Sequence, residues 1–196
     1  MKRWIGPALA LALAGCDTIG GLKYDFDSGS FSDKTKAIMQ ACEAHMHDRA
    51  FDPIRTKVEL LKSTPDAPVP FAILTNNTMA TPDEQRAIDL WSRAVESCQG
   101  DSRALIDNIP VPPEATQSEV AKLTSYFTDA WIEGSKLRVE LYGGKITYAD
   151  YASQRLTVAN DALKAAERYA QDTDEENETH DLENVETALE PYAALL

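Results

Sequence analysis

The residues with the most chemical potential in this 196-residue chain are three cysteines, three histidines and a surplus of carboxylates. Cys42-x-x-His45 and His45-x-His47 resemble metal-ligand spacing. On a helix Cys42 and His45 share a face, but His47 is turned roughly 200° from His45 on ideal geometry. No second half-site of cysteine or histidine follows, and His180 stands alone near the C-terminal end. A haem-attachment motif needs two cysteines ahead of its histidine. The sequence therefore assigns no metal and no cofactor, and it reads His45 as partly buried and His47 as exposed. Nucleophile and phosphate chemistry are equally absent: there is no G-x-S-x-G, no glycine-rich phosphate loop and no H-E-x-x-H. Asp129 and Glu133, four apart beside Trp131, are the kind of pair a glycosidase-like reaction uses. Among 32 acidic residues such spacings arise by chance, and like charges at i,i+4 are the ordinary dress of a solvated helix face. No catalytic residue is assigned, and a non-catalytic role is expected.

Charge narrows the partners. The formal net charge of −13 repels phosphate backbones and anionic headgroups, so the chain is not expected to bind nucleic acid or to adhere electrostatically to a membrane. Its first residues offer another route. Lys2 and Arg3 form a positive start, Ile5 to Leu13 a short apolar stretch, and Leu13-Ala14-Gly15-Cys16 follows. That order is an export signal. The last four residues resemble the lipobox of bacterial lipoproteins, in which small side chains enter a peptidase cleft and the thiol takes the lipid. The resemblance covers sixteen residues and speaks of address, not activity. It implies a diacylglyceryl group on Cys16, an added N-acyl chain of the palmitate kind, and cleavage between Gly15 and Cys16. Two or three acyl chains make such an anchor stable at about 0.8 kcal/mol per buried CH₂. The implied place is the cell envelope, facing the periplasm if the source is Gram-negative. Asp17 resembles the signal that retains lipoproteins in the inner membrane of enteric bacteria.

Export also bears on Cys42 and Cys98. Each falls on the apolar face of its own predicted helix, so both point into one core, and an oxidising compartment joins such a pair as a disulfide.

The elements that must hold these residues are helical throughout. Strand-period alternation never lasts more than a few residues, so the fold class expected is all-α, a small helical bundle. Residues 1–15 are expected to be the cleaved signal, 16–32 a lipidated start and flexible tether reaching about 20–24 Å, 33–171 the helical domain, and 172–196 an acidic tail. A first helix starts at Ser32 or Asp33 with Ile38, Cys42 and Met46 on one face. Asp52-Pro53 ends it and opens another. Residues 63–80 read as a loop whose apolar middle, Phe71-Ala72-Ile73-Leu74, tucks under the domain. Thr81-Pro82-Asp83-Glu84 is a capping box, opening a helix with Ile88, Trp91, Val95 and Cys98 in one stripe, which Gly100 ends before a short helical piece at 102–108. Thr116-Gln117-Ser118-Glu119 is a second box. Val120, Leu123, Phe127, Ala130, Gly134, Leu137 and Leu141 then form a heptad-like seam. Gly143-Gly144 stops it, and a partner helix from Thr147 carries Tyr148, Ala152, Leu156, Ala159, Leu163, Ala166 and Ala170. A turn so short implies a long antiparallel helical hairpin over about 117–170. From Asp172 to Glu190 no Lys or Arg occurs, as in a solvated linker, yet Leu182, Val185, Leu189, Tyr192 and Leu196 keep helical spacing.

Two functions fit this chain. One is a lipid-anchored interaction or structural module that docks another envelope protein or a second copy of itself. The other is a small-ligand or envelope-polymer binding protein, with or without enzymatic activity, whose pocket lies near Phe71, Trp91 and Trp131.

Overall fold

A computed structural model describes residues 28–61, 68–109, 111, 116–176 and 189. The expected leader, the lipobox-like residues and most of the expected tether lie outside these residues, as does most of the expected acidic tail. Among the described residues, the regular elements include the α-helices α1 (Ser28–Met46), α2 (Phe71–Leu74), α3 (Pro82–Ile106), α4 (Gln117–Tyr142) and α5 (Tyr148–Glu176), and a 3₁₀ turn at Arg49–Phe51. No strand occurs among the described residues, and the class is all-α. None of the described helices is long and apolar enough to cross a membrane.

The helix starts follow their capping chemistry. Thr81 Oγ1 accepts from Glu84 N while Glu84 Oε2 accepts from Thr81 N at 2.9 Å. Thr116 and Glu119 do the same for α4, and Thr147 with Asp150 does it for α5 using the shorter carboxylate. Each box satisfies N–H groups that a helix start leaves without an intrahelical acceptor. Two more donors of α5 go to the segment after α2: Tyr148 N to Thr78 O at 3.2 Å and Ala149 N to Asn76 O at 2.9 Å. That segment is thereby held at the end of α5.

The stripe positions are inside. Cys42 and Met46 of α1 are buried, as are Ile88, Trp91, Val95 and Cys98 of α3 and all seven seam positions of α4. The connection after α4 is a Schellman turn. Gly144 takes φ of 62°, its N–H reaches Leu141 O, and Lys145 N reaches Glu140 O at 2.9 Å. A side chain at Gly144 would be strained in this left-handed conformation. Helices α4 and α5 pack on each other, and Tyr126, in the first half of α4, lies 6.2 Å from Tyr169, in the second half of α5. The buried face of α5 is wider than its predicted line and adds Tyr151, Arg155 and Ala162.

Five local expectations are corrected. Helix α1 begins at Ser28, ahead of the expected cap at Ser32 or Asp33. No regular helix follows Pro53: residues 52–57 form successive turns closed by bonds such as Ile54 N to Phe51 O and Lys57 N to Ile54 O. Arg55 holds that path by donating to Met46 O at 2.9 Å and Asp48 O at 2.7 Å. Gly100 does not end α3, which runs on to Ile106 because Ser102 and Ile106 continue its buried stripe. The Phe71–Leu74 stretch is only half tucked in, with Ile73 buried and Phe71 80% exposed. Helix α5 continues to Glu176, past the expected start of the acidic tail. Farther along the tail, Leu189 is fully buried in the core.

Gly100 therefore sits inside a helix. A methyl group added there meets nothing within 4 Å, so Gly100→Ala should stabilise the fold by about 0.5–1 kcal/mol. Thr81→Ala should cost about 1 kcal/mol through loss of its cap. Chemical denaturation of both variants measures these opposite changes.

Candidate functional site

The cysteine pair is assembled. Cys42 of α1 and Cys98 of α3 stand 5.7 Å apart at Cα, a disulfide-bonding separation, and both are buried. His45 and His47 are exposed, so His45 is not the half-buried neighbour its face assignment suggested. Among the described residues no group of three or more His, Cys, Asp or Glu side chains is placed to hold a metal ion. Asp129 and Glu133 lie on the solvated face of α4, where Glu133 pairs with Lys136.

The three residues proposed to line one pocket go to three settings. Trp91 is core: its Nε1 donates to Leu60 O at 3.0 Å, and Tyr151 meets it edge-on at 5.9 Å. Phe71 projects from the start of α2 into solvent. Trp131 is buried on α4 and floors an open depression of about 240 Å³ between α3 and α4. Gln99, Gly100 and Arg103 line it from α3, and Ile132 and Ser135 from α4. A second cavity, under Ile73 and beside Tyr151 and Arg155, measures about 10 Å³, the room of a single water. Neither cavity is lined by Phe71 or Trp91.

Sequence reasoning missed two buried polar groups. In the first, Glu84 accepts an ion pair from Lys57 through Oε1 while Oε2 caps α3. The Lys57 ammonium also lies 5.2 Å from the centre of the Tyr148 ring. Burial pushes the Glu84 carboxyl up, but Lys57 and the Thr81 donors outweigh it and hold the group below its ordinary value. Burial and the nearby Glu84 charge push the Tyr148 phenol up. In the second group, Arg155 donates to Glu59 O at 2.7 Å and Arg138 to Ser135 Oγ at 2.7 Å. Burial draws the Arg138 guanidinium down; Tyr151 opposes this, Arg155 adds to it, and Glu96 opposes it. The signal for Arg155 was its spacing, four after Tyr151 and seven after Tyr148 on the face α5 buries. Glu84 was legible as a cap but not as the partner of a lysine 27 residues earlier.

Chemically, these groups bind the chain to itself. Arg155 donates to a backbone carbonyl, Arg138 to Ser135 Oγ and Lys57 to Glu84, which also caps α3, and the sulfurs face each other. Surface open to a partner among the described residues includes the depression beside Trp131, the exposed face of α4, where Val139 is 65% exposed, and the apolar side chains of Phe71, Met79 and Leu90. No family model, no curated protein and no solved structure matches this chain.

Two outcomes follow. Because the Glu84 carboxyl is held below its unfolded value, its contribution is complete above the ordinary carboxylate range and is lost as pH falls through the folded value. Glu84→Gln should lower stability at neutral pH and flatten the acid limb of the stability curve, measured by denaturant titration across acidic pH. Joining Cys42 to Cys98 closes a loop with a sequence separation of 56. Such a loop stabilises by about 4 kcal/mol in the chain-entropy model. A Cys98→Ser protein should be less stable by up to that amount and should exchange α1 amide hydrogens first, since few of the described α1 side chains are buried; uniform exchange across all helices would contradict this.

Proposed function

We propose that this chain is a lipid-anchored envelope lipoprotein whose helical body holds another macromolecule rather than catalysing a reaction. The observation that carries the reading is Leu13-Ala14-Gly15-Cys16 directly behind an apolar leader, joined to a buried Cys42–Cys98 pair at bonding separation. These are independent features, and both suit an exported protein: the first an address, the second an oxidising compartment. The interaction role is supported by how the reactive residue types are used. Trp91, Tyr148, Tyr151, Glu84, Arg155 and the cysteines serve packing, capping and cross-linking. Apolar surface is left on α4 at Ile132, Val139 and Tyr142.

In this reading acyl chains on Cys16 hold the body close to a membrane whose anionic face its own charge repels. The body therefore stands off the lipid and is open to a neighbour. Intact-mass analysis of the product from its native membrane should find Cys16 at the N-terminus, carrying diacylglyceryl and an N-acyl chain. A bare Cys16 or a retained leader overturns the anchor. Co-purification of the tagged protein from that membrane should bring down a stoichiometric partner, and its recovery alone removes the interaction role.

A further inference from the structure

A glycine without a structural reason stands in the last third of α3. Gly100 has an ordinary helical φ, and a side chain there would touch nothing. Neither turn geometry nor close packing requires glycine, although it is the poorest helix former after proline. What its missing side chain leaves open is one wall of the depression between α3 and α4.

We infer that this depression is a docking cleft for a single bulky apolar side chain carried on a lysine- or arginine-flanked segment of a protein partner. The inference rests on the interaction role proposed above and gives it a place. The cleft has the makings of an anchor pocket: an aromatic floor in Trp131, an aliphatic rim in Ile132, which is 48% exposed, and Val139 one heptad farther along the same face of α4. Its volume of about 240 Å³ suits one large side chain.

Charge selects the flanks. Glu96 is on the wall of the cleft, Asp101 follows Gly100 and is exposed, and Asp129 precedes Ile132 by one turn and is exposed. Arg103 is a cation on the rim, Arg138 is buried behind Ser135 within the field of Glu96, and Lys136 is already paired with Glu133. Over the whole chain the balance is −13. A second copy of this chain or an anionic lipid would meet a field of its own sign, whereas a basic segment is drawn in.

The test uses short fluorescein-labelled peptides with one central leucine or tryptophan among lysines. They are titrated by anisotropy into the full-length protein in a non-ionic detergent. Glutamate-flanked and alanine-centred peptides are the controls. The lysine-flanked, leucine- or tryptophan-centred peptides should bind, more weakly as salt rises. Gly100→Leu, which fills the cleft, should weaken that binding about tenfold or more, the loss expected when an anchor pocket is closed, with no fall in the thermal midpoint. Equal binding to wild type and Gly100→Leu overturns the cleft, and so does equal binding of either control peptide. A dimer of wild type that Gly100→Leu dissociates, seen by sedimentation, overturns the basic partner in favour of a second copy. The two readings fail separately. If Gly100→Leu keeps the partner that wild type brings from the native membrane, the cleft is wrong and the interaction role stands. If wild type brings none, the interaction role itself falls.

Discussion

An indole N–H taken out of water must find an acceptor, and the one Trp91 finds is the backbone carbonyl of Leu60. The segment before α2 is organised around that need. Residues 58–61 follow the turns without regular structure, so their carbonyls lack helical partners. Trp91 reaches down from α3 to Leu60, and Arg155 reaches across from α5 to Glu59, so consecutive carbonyls are held by side chains from two different helices. Phe51, Ile54, Val58 and Leu60 can then be buried beneath α3 without leaving polar backbone stranded. Remove the indole and the segment loses both a hydrogen bond and the flat surface it lies on.

The other half of the molecule solves a different problem by different means. Helices α4 and α5 carry long apolar faces, so their contact is side chain on side chain. Their junction is settled within five residues by the Gly144 turn and the Thr147–Asp150 box. The strand of chain from Asn76 to Thr78 then supplies carbonyls to the first amides of α5. Among the described residues, irregular stretches are tied to helix ends or to long polar side chains. That explains why a chain so rich in charge buries Arg155 and Glu84, residue types that seldom leave water.

What the sequence disclosed and what it hid divide along the same physical line. Capping boxes act over three residues, and helical stripes repeat every three or four. Thr81–Glu84, Thr116–Glu119 and the stripe from Ile88 to Cys98 were therefore readable, as were the all-α class and the convergence of Cys42 with Cys98. Errors arose where a distant contact outvoted a local signal. Gly100 looks like a stop, but burial of Ser102 and Ile106 carries the helix through it. Pro53 looks like a start, yet Arg55 takes up the carbonyls of Met46 and Asp48 and the chain turns instead. Phe71 looks like core by type, while the shape of α2 turns Ile73 inward and leaves Phe71 outside. The grouping of Lys57, Glu84 and Tyr148 spans three separate segments and has no periodic trace.

With the sulfurs of Cys42 and Cys98 joined, the chain gains a covalent shortcut between α1 and α3. A pull applied at the N-terminal end travels along α1 to Cys42, crosses to Cys98 and continues down the chain. The residues between, including the 3₁₀ turn, the Leu60 acceptor, α2 and the first two-thirds of α3, lie on a slack side branch and bear no load. The delicately tied, irregular part of the molecule is thus sheltered from mechanical strain by one bond, and the force falls on the helical part beyond it.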